Sequence, residues 1–115
     1  MTQMPRKACL HTSSERQLQT DPEAQSKYWG VTGEHVMLTY FEVPPNATFA
    51  EHSHASEQIT HVLEGKLFFR VAEETYCVDQ GDCIVIPCHL PHSVWTEADP
   101  ARAVDAWAPV HDKYQ

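Results

Sequence analysis

The chain has 115 residues, 42% hydrophobic and 21% charged, with 8 basic against 16 acidic residues and a formal net charge of −8. That length suits one domain with a real core. The acidic balance, without a basic patch, argues against nucleic-acid binding. No apolar run reaches the length that crosses a bilayer.

The first thirty residues read as an N-terminal arm, with the main domain expected over 31–115. The opening MTQMPRKACLHTSSERQ carries some positive charge but no apolar stretch behind it. A secretory signal is therefore not expected, and the cytoplasm is the expected location. Four cysteines, at 9, 77, 83 and 88, form no C-x-x-C pair and read as free thiols of a reducing compartment. One short helical turn is expected after Asp21-Pro22.

From residue 35 the character changes. HVMLTYFEV (35–43) is rich in β-branched and aromatic residues and stops at Pro44-Pro45-Asn46. The runs TFAEHSH, QITHVLEG, KLFFRVA, TYCV, CIVIP, HSVWTEA and RAVDAWAP follow, each short and bounded by turn residues. No helical period of ten or more residues interrupts them. Such spacing predicts an all-β sandwich or barrel, with a tight hairpin at Gly65-Lys66.

EHSHASEQITHVLEG (51–65) holds the densest chemistry. Alternation along a strand puts His52, His54 and Gln58 on one face and Glu57 on the other. A turn at Ala55-Ser56 would reset that register. In GDCIVIPCHLPHSVW (81–95), Pro87 and Pro91 bracket a stiff loop, and His92 opens the next strand. Three imidazoles and an amide oxygen can hold a divalent ion with coordination positions left open. His61 has the wrong parity for this site, His89 reads as a loop residue, and His11 and His35 have no evident partners. Asp105 and Trp107 share a face of the last strand. Turned inward, that face brings a carboxylate close to the metal pocket.

PNATFAEHSHASEQITHVLEG (45–65) and GDCIVIPCHLPH (81–92), fifteen residues apart, resemble the two motifs of the cupin superfamily. The resemblance implies a single-domain jelly-roll β-barrel, a double-stranded β-helix, behind a mostly irregular arm. It places the metal ligands on His52, His54, Gln58 and His92. The ion would be one divalent metal, among zinc, nickel, iron and manganese.

The closing RAVDAWAPVHDKY (102–114) is similar to that of the uronate ring-opening, KdgF-type cupins, which also carry Gln as fourth ligand. By that likeness Asp105 is the acid/base group and Trp107 a pocket wall. His111 stands where the family has Arg, as a donor or a cation according to pH. The implied function is metal-dependent isomerisation of a small anionic sugar acid. An Fe(II) dioxygenase and a non-catalytic metal- or ligand-binding module are the alternatives. The resemblance also implies a homodimer pairing through sheet edges, with a small-molecule substrate and neither nucleic acid nor membrane as partner.

Overall fold

The computed structural model describes residues 7–115, and residues 1–6 of the expected arm lie outside the described residues. Ten strands make two antiparallel sheets: β1 Gln19–Asp21, β2 Ser26–Thr32, β3 Met37–Val43, β4 Thr48–His52, β5 Glu57–Glu64, β6 Lys66–Val71, β7 Glu74–Asp79, β8 Cys83–Ile86, β9 His92–Trp95 and β10 Ala101–Ala108. The six-stranded sheet runs β1-β2-β3-β10-β5-β8 and the four-stranded sheet β4-β9-β6-β7. The two ladders stay separate rather than closing hydrogen bond by hydrogen bond into a barrel. The result is a jelly-roll of two facing sheets, with the all-β class expected from the spacing of the apolar runs.

The arm differs from expectation in its second half. From residue 19 it supplies β1 and β2, and the expected boundary at residue 30 falls inside β2. The helical turn expected after Pro22 is instead the turn of a β1–β2 hairpin, in which Gln19 to Asp21 pair with Tyr28 to Ser26. Asp21 Oδ1 accepts from the Glu23 amide at 3.1 Å, and Gln25 takes a positive φ of 53°. An Asx turn of this kind competes with a helical turn and wins where a strand must return. Ahead of it lies one 3₁₀ turn, Ser13–Glu15.

Alternation sets the core. β5 reads exposed–buried throughout its first six residues, and β10 buries Ala101, Ala103, Asp105 and Trp107. Phe41, Phe49, Val62, Leu67, Phe69 and Ile86 from both sheets meet between them. Gly65 makes the β5–β6 turn at φ 74°, where a Cβ would overlap the Pro100 carbonyl oxygen. Among the described residues no helix is long and apolar enough to cross a membrane.

Candidate metal centre

His52 ends β4 and His92 opens β9, and the two are cross-strand partners in the register. Their rings stand 4.4 Å apart, centroid to centroid, and His54 lies 5.7 Å from His52 and 4.8 Å from His92. One ligand atom from each of the three falls within 4.8 Å of the others.

Backbone carbonyls fix the tautomers. Nδ1 of His52 donates to Ala50 O, that of His54 to Ser56 O and that of His92 to Leu90 O, each at 2.8 Å. A carbonyl only accepts, so every Nδ1 carries the proton and every Nε2 presents a lone pair. Among the described residues His92 Nε2 is buried with no hydrogen-bond partner, an orphan that a ligand-seeking ion would satisfy. Burial holds His92 down at about 4, with the neighbouring His52 and His54 also disfavouring charge.

Gln58 stands beside His54. It is 4% exposed, while Glu57 points to solvent. The strand breaks at Ala55-Ser56, so His54 lies between strands, and Gln58 faces inward through the alternation of β5 itself. The Gln58 amide nitrogen donates to Thr60 Oγ1 at 2.9 Å, and Thr60 donates to Asp105 Oδ1 at 2.5 Å. That chain turns Gln58 Oε1 toward His54 Nε2, 3.0 Å away. Two acceptors so close repel each other, and a cation shared between them removes the repulsion. Donors about 2.1 Å from a common octahedral ion stand about 3.0 Å apart at right angles. The four residues thus fit a divalent ion, although nothing in the donor set selects which metal.

Asp105 sits opposite Thr60 in the β10–β5 register, and Trp107 opposite Gln58. Burial raises the Asp105 carboxyl to about 7, against the opposing hydrogen bond from Thr60. Trp107 is 3% exposed, anchored by its indole N–H to Thr39 Oγ1 at 2.8 Å, and packs edge-on against His54. His111 stacks beside His54 and Trp107 at 5.0 and 4.8 Å. Burial pushes it down to about 4, so it is neutral at pH 7. Its Nδ1 accepts from the Lys113 amide at 3.3 Å, which leaves Nε2 as the donor.

Thr60, Ser56 and Tyr114 are the residues that the reading of the sequence missed. Thr60 shares parity with Gln58 and was within reach of the same period-two argument. Ser56 ties the ligand loop to the chain end through Pro109 O at 2.6 Å. Tyr114 is brought in by a terminal 3₁₀ turn, Asp112–Tyr114, and packs against Phe41, Trp107 and His111. Lys113 fastens this turn, 3.1 Å from Asp21 and 3.7 Å from Glu23. Nothing in the local pattern of residues 111–115 signals that return. His61 and His89 are exposed, as are His11 and His35 outside the site. All four cysteines are free and exposed.

Gln58, Thr60, His52, His92, Asp105 and Trp107 line one cavity that opens to solvent. The sequence profile of the cupin domain matches residues 39–107, a span containing every one of these groups. The chain belongs to the cupin family. An RmlC-like cupin from Shewanella frigidimarina superposes with a TM-score of 0.84 at 17% identity, covering 97% of this cupin and 100% of that chain. KdgF from Halomonas sp. gives 0.80 at 20% identity, over 90% and 97%. One oxalate decarboxylase from Bacillus subtilis, described for its Mn(II) centres, gives 0.74 at 17% over 87% of this chain and 29% of its own. A search of curated protein sequences finds no match. At these identities the likeness is one of fold.

Proposed function

We propose that this cupin is a metal-dependent isomerase that opens the ring of a small unsaturated sugar acid. The observation that carries the reading is the line from Gln58 through Thr60 to Asp105. It orients a buried carboxyl, which burial raises to about 7, in the cavity that His52 and His92 line beside His54. A group that titrates near neutrality both takes and returns protons. The likeness of the fold to KdgF and of the closing strand to the KdgF type supports the substrate class.

His52, His54, His92 and Gln58 would hold a divalent ion. Bound there, it supplies Lewis acidity, anchoring substrate oxygens and stabilising negative charge on an enolate. Among the described residues none lining the cavity is Arg or Lys, and imidazole and amide ligands bring no negative charge. The positive charge that receives a carboxylate is therefore the ion's own. Asp105 takes the proton of the anomeric hydroxyl as the ring C–O bond breaks, leaving a carbonyl and an enolate. Returning that same proton to the enolate carbon gives the linear keto acid and restores the Asp105 carboxylate, with no atoms gained or lost. Trp107 walls the ring, and His111 Nε2 donates a hydrogen bond to a substrate oxygen.

Protein loaded in turn with zinc, manganese, nickel and iron, incubated with unsaturated uronates, should consume their conjugated ultraviolet absorbance. Asp105→Asn should lower turnover roughly 10²–10⁴-fold with metal content unchanged. Full activity in Asp105→Asn would remove the proton-transfer role. Turnover that needs iron and O₂ would replace the isomerase with an oxygenase. Thermal stabilisation by uronates without product would make the chain a binding module.

A further inference from the structure

Among the described residues lining the metal cavity, only His52 and Tyr114 are not buried, so its opening to solvent lies between them. His52 ends β4 on one side, and Tyr114 comes from the terminal 3₁₀ turn on the other. β2 offers that turn a bare seat. Gly30 has no side chain there, and a Cβ would stand 3.3 Å from the Tyr114 carbonyl oxygen, closer than ordinary contact. The Tyr114 ring packs among Tyr28, Phe41 and Trp107, at centroid distances of 5.1, 5.2 and 5.5 Å.

The same turn is tied to the far side of the opening. Glu23 Oε1 stands 3.7 Å from Lys113 Nζ, and its Oε2 accepts from the Ala50 amide at 3.0 Å. The Ala50 carbonyl in turn accepts from His52 Nδ1 at 2.8 Å. Lys113 also lies 3.1 Å from the carboxylate of Asp21, which is 3% exposed. One carboxylate thus reaches Tyr114 through Lys113 and His52 through Ala50. The folded hairpin, and not a loose chain end, fixes the width of the opening.

The geometry points to Tyr114 as the residue that sets substrate size, admitting one uronate ring and turning away a linked pair. The inference rests on the ring-opening reading above and narrows it. In that reading Asp105 needs a free anomeric hydroxyl, and a ring still linked through its anomeric oxygen offers none. Such a chain would hold the ion by a carboxylate and never react. With the other walls buried, its second ring would have to leave between His52 and Tyr114, where the phenol ring stands. Burial above all, then the carboxylates of Asp21, Asp105 and Glu23, push the Tyr114 hydroxyl above its usual range, so the group stays uncharged. Tyr114 therefore excludes by bulk, which phenylalanine would match.

Calorimetric titration of zinc-loaded protein with galacturonic acid and with its α-1,4-linked dimer tests this without turnover, since neither probe is unsaturated. Wild type should bind the dimer about 10-fold or more weakly than the monomer. Tyr114→Ala should bring the two affinities within about twofold, with zinc content unchanged, while Tyr114→Phe should keep the wild-type ratio. Gly30→Val changes no residue of the cavity wall but displaces the turn, and it should narrow the ratio too. It decides the matter if Tyr114→Ala does not fold. A wild type that binds both probes alike, or a ratio that survives Tyr114→Ala, would overturn the inference and leave the uronate reading standing. Binding of neither probe by any of these proteins would end both.

Discussion

Asp105→Asn offers a test of the site that needs no substrate. The native carboxyl is held at about 7 against an ordinary 3.8, with burial as the leading cause. Asp105 is 8% exposed, so solvent screens little of that effect. A native pKa above the unfolded one means that the fold favours the protonated form. Stability from this group is fully present below pH 3.8 and is lost as pH rises through about 7. Ionising the buried group should cost the native state about 4 kcal/mol at pH 8. Asparagine keeps the shape and the acceptor for Thr60 but has no charge to bury. In chelator-treated protein, circular dichroism melts of wild type and Asp105→Asn should nearly coincide at pH 4. At pH 8 the variant should melt roughly 15 °C higher. Other titrating groups cancel in the comparison. Coincident melts at pH 8, or a variant less stable there, would refute the buried, proton-holding state of Asp105. A bound dication should lower the Asp105 pKa, so adding metal should shrink the pH 8 gap.

Thr60→Val should leave one metal per chain but lower turnover roughly 10–100-fold, because Gln58 and Asp105 lose their common partner; metal analysis beside initial rates checks it. Gly65→Ala should destabilise the fold by at least about 2 kcal/mol in urea denaturation, since the new Cβ overlaps Pro100 and the φ of 74° disfavours any side chain. For wild type, divalent metal at one hundred times its Kd should add about 2.7 kcal/mol of stability, and His92→Ala should abolish that increment in metal-titrated melts.

Much of the architecture was legible because short strands with strict alternation admit few folds. The runs 35–43, 58–65 and 102–109 announced β3, β5 and β10, and in those strands Gln58 and Asp105 are buried. His54 shows the limit of that argument. It lies in a break between strands, where its position follows from Nδ1 bonding Ser56 O and from the packing of Trp107. β1 was hidden because three polar residues, Gln19–Asp21, carry no period and gain strand form only by pairing with β2. Tyr114 was hidden for a related reason. The ion pairs of Lys113 with Asp21 and Glu23 that bring it back span about ninety residues of sequence, which no local pattern encodes. The charge of His111 was open from sequence alone, because burial decides it.

The central claim is that His52, His54 and His92 aim three unprotonated nitrogens at one point. Crystals grown with zinc or manganese, measured across the metal's absorption edge, test it most directly. The account predicts a single strong anomalous peak about 2.1 Å from all three Nε2 atoms, with Gln58 Oε1 beside it. A peak elsewhere, or none with the imidazoles in the same positions, would contradict it.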